Sequence, residues 1–192
     1  TDFVVDAAIA AGNGAGVGVP DINGRRSREL YYRQIRGDIT VVGGNGVELR
    51  ATDQGHGGVN AIVPGESQNS APNSYALIGH GGIKSGGVTI GAPSTVISVS
   101  ATADVVLQGG SADVAFAQIG NGGTNNDAGT TEATVEVLAG GQVDVLGGSG
   151  PNSYAQIGNG GAGSDGTKQG TVLVDAGTDV NVTRGSGSSA YA

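Results

Sequence analysis

A glycine-rich loop in the last third of the chain has the pattern of a calcium-binding turn. Residues 160–167 read Gly-Gly-Ala-Gly-Ser-Asp-Gly-Thr, and residues 122–127 are a weaker copy. Oxygen ligands for calcium would come from the carboxylates of Asp127 and Asp165 and from nearby backbone carbonyls. The calcium-binding nonapeptide works in tandem, however, whereas these two copies start 38 residues apart and lack the apolar residue at the end. We therefore favour a plain turn and keep a calcium-binding repeat module as an alternative.

The two histidines are the other candidates for metal binding. His56 and His80 each lie in a Gly-His-Gly-Gly sequence. A zinc site needs three or four protein ligands, and no third candidate lies at a suitable spacing. We therefore expect both histidines to lie in loops and to bind no metal.

The acidic residues are scattered rather than gathered into a catalytic group. Carboxylate pairs serve as acid and base in glycoside hydrolysis when they face one groove. Here they alternate with aliphatic residues or lie at turns, as at Asp104, Glu136, Asp144, Asp175 and Asp179. No Gly-Lys-Ser/Thr phosphate-binding loop is present either. The sequence therefore predicts no catalytic residue, no cofactor and no enzyme activity.

A repeat accounts for most of the chain. Residues 152–161 read Asn-Ser-Tyr-Ala-Gln-Ile-Gly-Asn-Gly-Gly, residues 73–82 and 115–123 are related copies, and a further copy begins at residue 189. The aromatic positions of the four copies are separated by 41, 38 and 37 residues. A fixed period of this length indicates a solenoid, a propeller or a similar array.

Short aliphatic segments recur with the same period. They alternate Val, Ile or Leu with a residue that is often polar, and Gly-rich or Asn-containing turns separate them. They cover residues 39–41, 47–49, 97–99, 105–107, 135–137, 143–145, 172–174 and 180–182. An alternation of two with β-branched residues is typical of strands that have one buried face. We predict an all-β fold with at least three short strands in each repeat.

Stacking of the repeats would bury what a single repeat leaves exposed. Equivalent side chains would then lie above one another, at the strand spacing of about 4.8 Å. The predicted columns are an aromatic ladder and an isoleucine ladder. Their members are Tyr75, Phe116, Tyr154, Tyr191, Ile78, Ile119 and Ile157.

The repeats resemble those of very large secreted bacterial surface proteins of the filamentous haemagglutinin-like and autotransporter adhesin type. The resemblance covers residues 37–192 and rests on the Val-x-Val, Ala-Gly-Gly and Tyr-Ala-Gln-Ile-Gly-Asn-Gly-Gly patterns. It implies a right-handed parallel β-helix, with roughly two rungs in each repeat. It also implies an extracellular, cell-surface location in bacteria. The family contributes no catalytic residues that could be carried over.

Residues 1–36 do not fit the repeat. Their basic end favours a cap over the first repeat, because an open solenoid end exposes core side chains and unpaired strand edges. The alternative is a joint that contacts another copy of this acidic chain. Its residues would be Arg25, Arg26, Arg28, Tyr31, Tyr32 and Arg33. An insertion within residues 51–73 lengthens the first repeat, as a surface loop or part of an extra rung.

The composition limits the partners. A net charge of −8 argues against nucleic acid as a general partner. No apolar run reaches the ~18 residues of a membrane span, and residues 3–11 lack the features of a signal peptide. Because the chain starts without Met and stops within a repeat, we expect a processed or excised piece of a longer protein.

We expect a structural segment of an adhesin or of a self-assembling fibre, with homo-oligomers or filaments formed by end-to-end stacking. Contacts with a cell surface or a polysaccharide are also expected. One alternative is a β-helix that binds or degrades polysaccharide, and the other is the calcium-binding module described above.

Overall fold

The described part of the chain is all-β, which confirms the predicted class. The structure, a computed structural model, describes residues 3–4, 37–51, 75–83, 89–126 and 129–192. The strands are β1 (Phe3–Val4), β2 (Ile39–Gly43), β3 (Val47–Arg50), β4 (Tyr75–Ile78), β5 (Thr89–Ala101), β6 (Val105–Gln108), β7 (Phe116–Ile119), β8 (Thr130–Ala139), β9 (Val143–Leu146), β10 (Ala155–Ile157), β11 (Thr167–Gln169), β12 (Val172–Ala176) and β13 (Val180–Thr183). Within these ranges there is no helix, and so none that could cross a membrane.

The strands form three sheets, and successive repeats add strands to the same sheets. Sheet 1 has the order β1-β2-β5-β8-β11, with β12 also paired to β8. Sheet 2 has the order β3-β6-β9-β13, and sheet 3 the order β4-β7-β10. The pairing is parallel throughout except between β1 and β2, which run antiparallel.

The register follows the repeat. Val135 pairs with Ile97 on one side and with Val172 on the other. In sheet 2, Val143 pairs with Val105 and with Val180. These are the offsets of 38 and 37 residues that the aliphatic pattern has in the sequence. Because a strand alternates its side chains between two faces, this register keeps each aliphatic column on one face.

The pairing corrects one expectation, the two rungs in each repeat. Residues one period apart, such as Ile119 and Ile157, are direct partners in neighbouring strands. Between them there is no room for a further strand, because paired strands lie only about 4.8 Å apart. Each repeat therefore contributes one strand layer to each sheet. The sequence shows the length of the period but not how many layers the chain makes within it.

The core lies between the inward faces of the three sheets. Ile97, Val99, Val135, Val137 and Val143 have no exposed surface. The cluster that they form also contains Leu107 of sheet 2 and Ile119 of sheet 3. Burial of each such aliphatic side chain contributes about 1.5–3 kcal/mol before the loss of chain entropy.

The last layer differs from the layers before it. Val180 and Val182 are 51% and 62% exposed, whereas their partners Val143 and Val145 are 0% and 4% exposed. No strand of the described ranges pairs with the far edge of β13. The inward side chains of this layer are thus core residues that are covered on one side only.

Part of the sequence-based predictions falls on residues that the structure does not describe. These are the cap or joint in residues 1–36, apart from β1, and the insertion within 51–73, apart from Ala51. The joint residues lying outside the described ranges are Arg25, Arg26, Arg28, Tyr31, Tyr32 and Arg33.

Candidate functional site

Four aromatic rings form a continuous stack along the strand layers. The ring centroids of Tyr75 and Phe116 are 5.0 Å apart, those of Phe116 and Tyr154 are 4.8 Å apart, and those of Tyr154 and Tyr191 are 4.8 Å apart. The planes of neighbouring rings differ by 3–5°. The spacing matches that of paired strands, so each layer places its ring on the ring before it.

The hydroxyl group of Tyr154 is buried and hydrogen-bonded. It accepts a hydrogen bond from the Thr124 hydroxyl at 3.1 Å and donates one to Gln118 Oε1 at 3.3 Å. Burial raises the pKa of Tyr154 well above its usual range, and the hydrogen bond from Thr124 offsets this only in part. Burial also raises the pKa of Tyr191, to about 12. Both phenols are therefore uncharged at neutral pH.

The three isoleucines that follow the aromatic residues lie in one sheet. Ile78 pairs with Ile119, and Ile119 pairs with Ile157, all within sheet 3. Ile119 has no exposed surface, and the other two pack against the same core. The column thus holds sheet 3 against the valines of sheets 1 and 2.

A buried glutamine connects the layers, a role that the sequence analysis missed. The Gln118 side chain has no exposed surface, and its Nε2 lies 3.2 Å from the Asn121 carbonyl. The same nitrogen lies 3.1 Å from the carbonyls of Gly158 and Gly160, in the next repeat. Buried carbonyls that lack a partner are costly, so this amide supports the turn of both layers. Gln156 stands at the equivalent position of the next repeat and Leu77 at that of the first, so the recurring glutamine is the sequence signal that could have pointed to this role.

His80, Asn121 and Asn159 stand at equivalent positions of three repeats, and side-chain hydrogen bonds hold their turns in one column, the turn column. Asn121 Oδ1 accepts from the backbone amide of His80 at 2.9 Å, and Asn159 Oδ1 accepts from that of Asn121 at 3.1 Å. Asn159 Nδ2 donates to the carbonyls of Ala133 and Gln169 at 2.8 Å. Each asparagine thus fixes a turn against the neighbouring layer and against sheet 1.

Glycine is required where these turns touch. Gly120 has a φ of +135°, and a Cβ there would lie 2.1 Å from the Gly158 carbonyl oxygen. Gly158 has a φ of +141°, but the nearest atoms to a Cβ there would be 3.7 Å away, because no described residue packs on this turn from a further layer. The backbone conformation and the contact with the next layer are thus separate reasons for glycine.

Of the residues considered for metal binding, His80 and Asp165 lie in the described ranges. Asp165 is exposed at a turn, and Asp127 and His56 lie outside the described residues. His80 Nε2 lies 2.9 Å from the carbonyl oxygen of Gly37. No group of three or more His, Asp or Glu side chains in the described ranges could hold a metal ion.

A polar groove follows sheet 2 along the layers. Its volume is about 740 Å³, and its lining includes Arg50, Arg184 and the recurring Gly-Gly-Ser segments at 109–111 and 147–149. Ser111, Ser149 and Ser186 are exposed along it. The sequence contains a signal for this groove, since Gly-Gly-Ser recurs at an offset of 38 residues. Only the register shows that these segments are neighbours.

Comparison with known proteins gives no relative. No family model matches the chain, and no curated protein or solved structure matches it.

Proposed function

We propose that this chain is a structural, non-enzymatic segment of an extracellular β-solenoid, of the kind found in bacterial surface adhesins or fibres. The observation that carries the proposal is the unbroken aromatic stack, with centroid distances of 4.8–5.0 Å over four successive repeats. Such a stack needs every repeat to advance by one layer with little rotation. Repeats that contact only their neighbours are typical of solenoids.

The order of the strands supports a coil. The chain runs from sheet 1 to sheet 2 to sheet 3, as in β5, β6 and β7, and then returns to sheet 1 at β8. A chain that visits three sheets in constant order, with parallel pairing, winds around one axis. We propose that the winding is right-handed, as parallel crossovers almost always are. Because each repeat contributes one strand layer to each sheet, each repeat then makes one turn of the coil.

The distribution of chemistry supports a structural role. The fully buried side chains of Gln118 and Asn121 donate hydrogen bonds to backbone carbonyls of neighbouring turns and strands. The secreted, bacterial assignment rests on the resemblance of the repeat sequence alone. Repeat arrays of this kind are also well suited to form extended structural elements.

End-to-end association of copies belongs to the same proposal. Val172, Val180 and Val182 are 47–62% exposed in the last layer, and contact with another layer would cover them. Val47, in the first described strand of sheet 2, is 3% exposed, so the inward valines at the two ends differ in exposure. Val182→Asp should therefore reduce association of purified chains, measured by sedimentation equilibrium.

The experiment that tests the solenoid adds repeats. Residues 130–166 are one full period, since Thr167 pairs with Thr130. Four extra copies of this segment, inserted before Thr167, should lengthen the particle by about 19 Å, at ~4.8 Å for each layer. Small-angle X-ray scattering measures this length and the cross-section, which should stay constant. A Gly-Ser insertion of equal length is the control, because it adds residues without strands.

A length that does not change with repeat number, or a cross-section that grows with it, would contradict the solenoid. An increase in length of twice the expected value would instead indicate two strand layers in each repeat.

The groove along sheet 2 favours a second candidate function, the binding of an acidic polysaccharide. Of the three Lys and Arg residues in the described ranges, Arg50 and Arg184 line the groove and Lys168 does not. Arg50 is ion-paired with Glu48, so Arg184 is the cation that an anionic ligand would contact. The exposed serines between them could donate hydrogen bonds to sugar hydroxyls and carboxylates. An extended anionic chain is thus the ligand that the groove would fit.

Binding of a soluble uronic acid polysaccharide, measured by calorimetry, tests this candidate. Arg184→Gln should weaken binding about tenfold, as expected for one charged hydrogen bond. Lys168→Gln is the matched control and should leave the affinity unchanged. Equal losses for the two variants, or no binding by the unmodified chain, would exclude the groove as the site.

A further inference from the structure

Three Asn-Gly pairs in the described residues differ in their freedom to react. They are Asn45-Gly46, Asn121-Gly122 and Asn159-Gly160. Asparagine is among the side chains most prone to spontaneous chemical change. When glycine follows it, the backbone nitrogen of that glycine is sterically unhindered. That nitrogen can attack the asparagine Cγ and expel ammonia, which gives a cyclic succinimide. Addition of water to either carbonyl of the ring then gives aspartate or isoaspartate.

In the two pairs of the turn column, both reacting groups are held. Asn121 has no exposed surface, its Nδ2 donates to the Glu132 carbonyl at 3.0 Å, and the Gly122 amide donates to the His80 carbonyl at 2.8 Å. The Gly160 amide donates to the Asn121 carbonyl at 2.8 Å. Ring closure needs this nitrogen to turn towards the side chain, so these hydrogen bonds must break first.

The Asn159 side chain is held in the same way. Its Nδ2 donates two hydrogen bonds, at 2.8 Å each, to the Ala133 and Gln169 carbonyls. Its Oδ1 also accepts from the Asn121 amide at 3.1 Å. These three hydrogen bonds engage both the oxygen and the nitrogen of the side-chain amide. The side chain therefore cannot rotate onto the backbone while the layers stay packed.

Asn45-Gly46 lies in a different environment. It is in the turn between β2 and β3, where Asn45 is exposed and Gly46 is half-buried. Within the described part of the chain, neither the Asn45 side chain nor the Gly46 amide makes a hydrogen bond. Water reaches the side chain, and nothing there fixes the two reacting groups apart.

We infer that Asn45-Gly46 is a site of spontaneous modification in the folded protein, and that the turn column protects Asn121 and Asn159 from the same reaction. Both products carry a new negative charge, and isoaspartate also adds a carbon to the backbone. Either change falls beside the next layer, where the Asp104 carbonyl oxygen lies 3.0 Å from the position of a Cβ on Gly46. The inference is independent of the proposed function, since it needs only the local hydrogen bonds.

The test is incubation of the full chain in mildly alkaline buffer, followed by peptide mapping with mass spectrometry over time. In the folded protein, Asn45 should convert at least tenfold faster than Asn121 or Asn159. In concentrated urea, the three rates should come within a few-fold of each other, because the hydrogen bonds are then lost. Asn45→Gln should abolish the fast phase without affecting the other two sites.

Equal rates at the three sites in the folded protein, or a slower rate at Asn45, would overturn the inference. So would a difference between the sites that persists unchanged in urea, since it would then come from neighbouring residues and not from the fold.

Discussion

Removal of the inner ring of Phe116 from the aromatic stack should destabilise the fold by an amount that depends on its contacts with the two neighbouring rings. Phe116 has no exposed surface and stacks on Tyr75 at 5.0 Å and on Tyr154 at 4.8 Å. An aromatic pair contributes about 0.5–1.5 kcal/mol beyond the burial of its surface. Phe116→Leu keeps most of the apolar volume and loses two such pairs, so it should cost about 1–3 kcal/mol.

Phe116→Ala adds a cavity to the loss of the two pairs. A buried Phe→Ala substitution typically costs about 3–5 kcal/mol. The difference between the alanine and leucine variants therefore separates the packing of the side chain from the stacking of the rings. Urea unfolding followed by circular dichroism measures both, provided that the dependence of the unfolding free energy on urea keeps the same slope.

A double-mutant cycle then asks whether the rings interact through direct contact. Tyr75 and Tyr191 both end the stack, but only Tyr75 touches Phe116. Phe116→Leu and Tyr75→Leu should couple by about 0.5–1.5 kcal/mol, whereas Phe116→Leu and Tyr191→Leu should be additive within about 0.5 kcal/mol. Equal coupling in the two cycles, or none in either, would refute the idea that stacking between neighbouring layers stabilises the fold.

Two further predictions follow from the glycine turns and from the buried phenols. Gly120→Ala should lower the free energy of unfolding, measured by thermal unfolding, by about 2–4 kcal/mol. Strain at positive φ contributes about 1 kcal/mol of this loss, and a backbone clash contributes about 1–3 kcal/mol. Gly158→Ala should lose only the part that comes from strain. Equal losses at the two positions would show that contact between layers does not require the glycine. The pKa of Tyr191 is raised to about 12 in the folded state. Its contribution to folding stability should therefore be constant well below pH ~10, the pKa of an unfolded tyrosine, and should be lost as the pH rises towards 12. Tyr191→Phe should reduce this loss at high pH, as measured by urea unfolding at several pH values, and an unchanged pH dependence would contradict the assignment.

The sequence predicts the strands and their register well because the same residues carry both signals. The alternation at 135–137 and 143–145 identifies strands, and its recurrence at 97–99 and 172–174 identifies their partners. The number of layers in a repeat could not be predicted in this way. A period of 37 or 38 residues fits one long turn or two short ones, and the lengths of turns such as 120–126 decide between them.

The polar part of the candidate site was predictable only where it repeats. Asn121 and Asn159 recur in the sequence, and the structure places them in one column. Gln118 recurs as Gln156 and lies opposite Leu77, so the sequence marks the position in part, but only the structure shows which carbonyls the buried amide contacts. The difference in freedom between Asn45 and Asn121 has no sequence signal at all, because both precede glycine and differ only in what the fold places around them.

The one-layer repeat has a mechanical consequence. The hydrogen bonds between neighbouring strands point from one layer to the next, so a force that separates the ends of the stack would load the few bonds of a terminal layer first. Towards the C-terminal end, each layer that peels away releases a contiguous segment of 37 or 38 residues, or roughly 130 Å of extended chain. The first described layer is offset from the next by 58 residues, since Ile39 pairs with Ile97. Stretching a single molecule should therefore give a sawtooth in which one step is longer than the others, and the force of each step would report the strength of one layer.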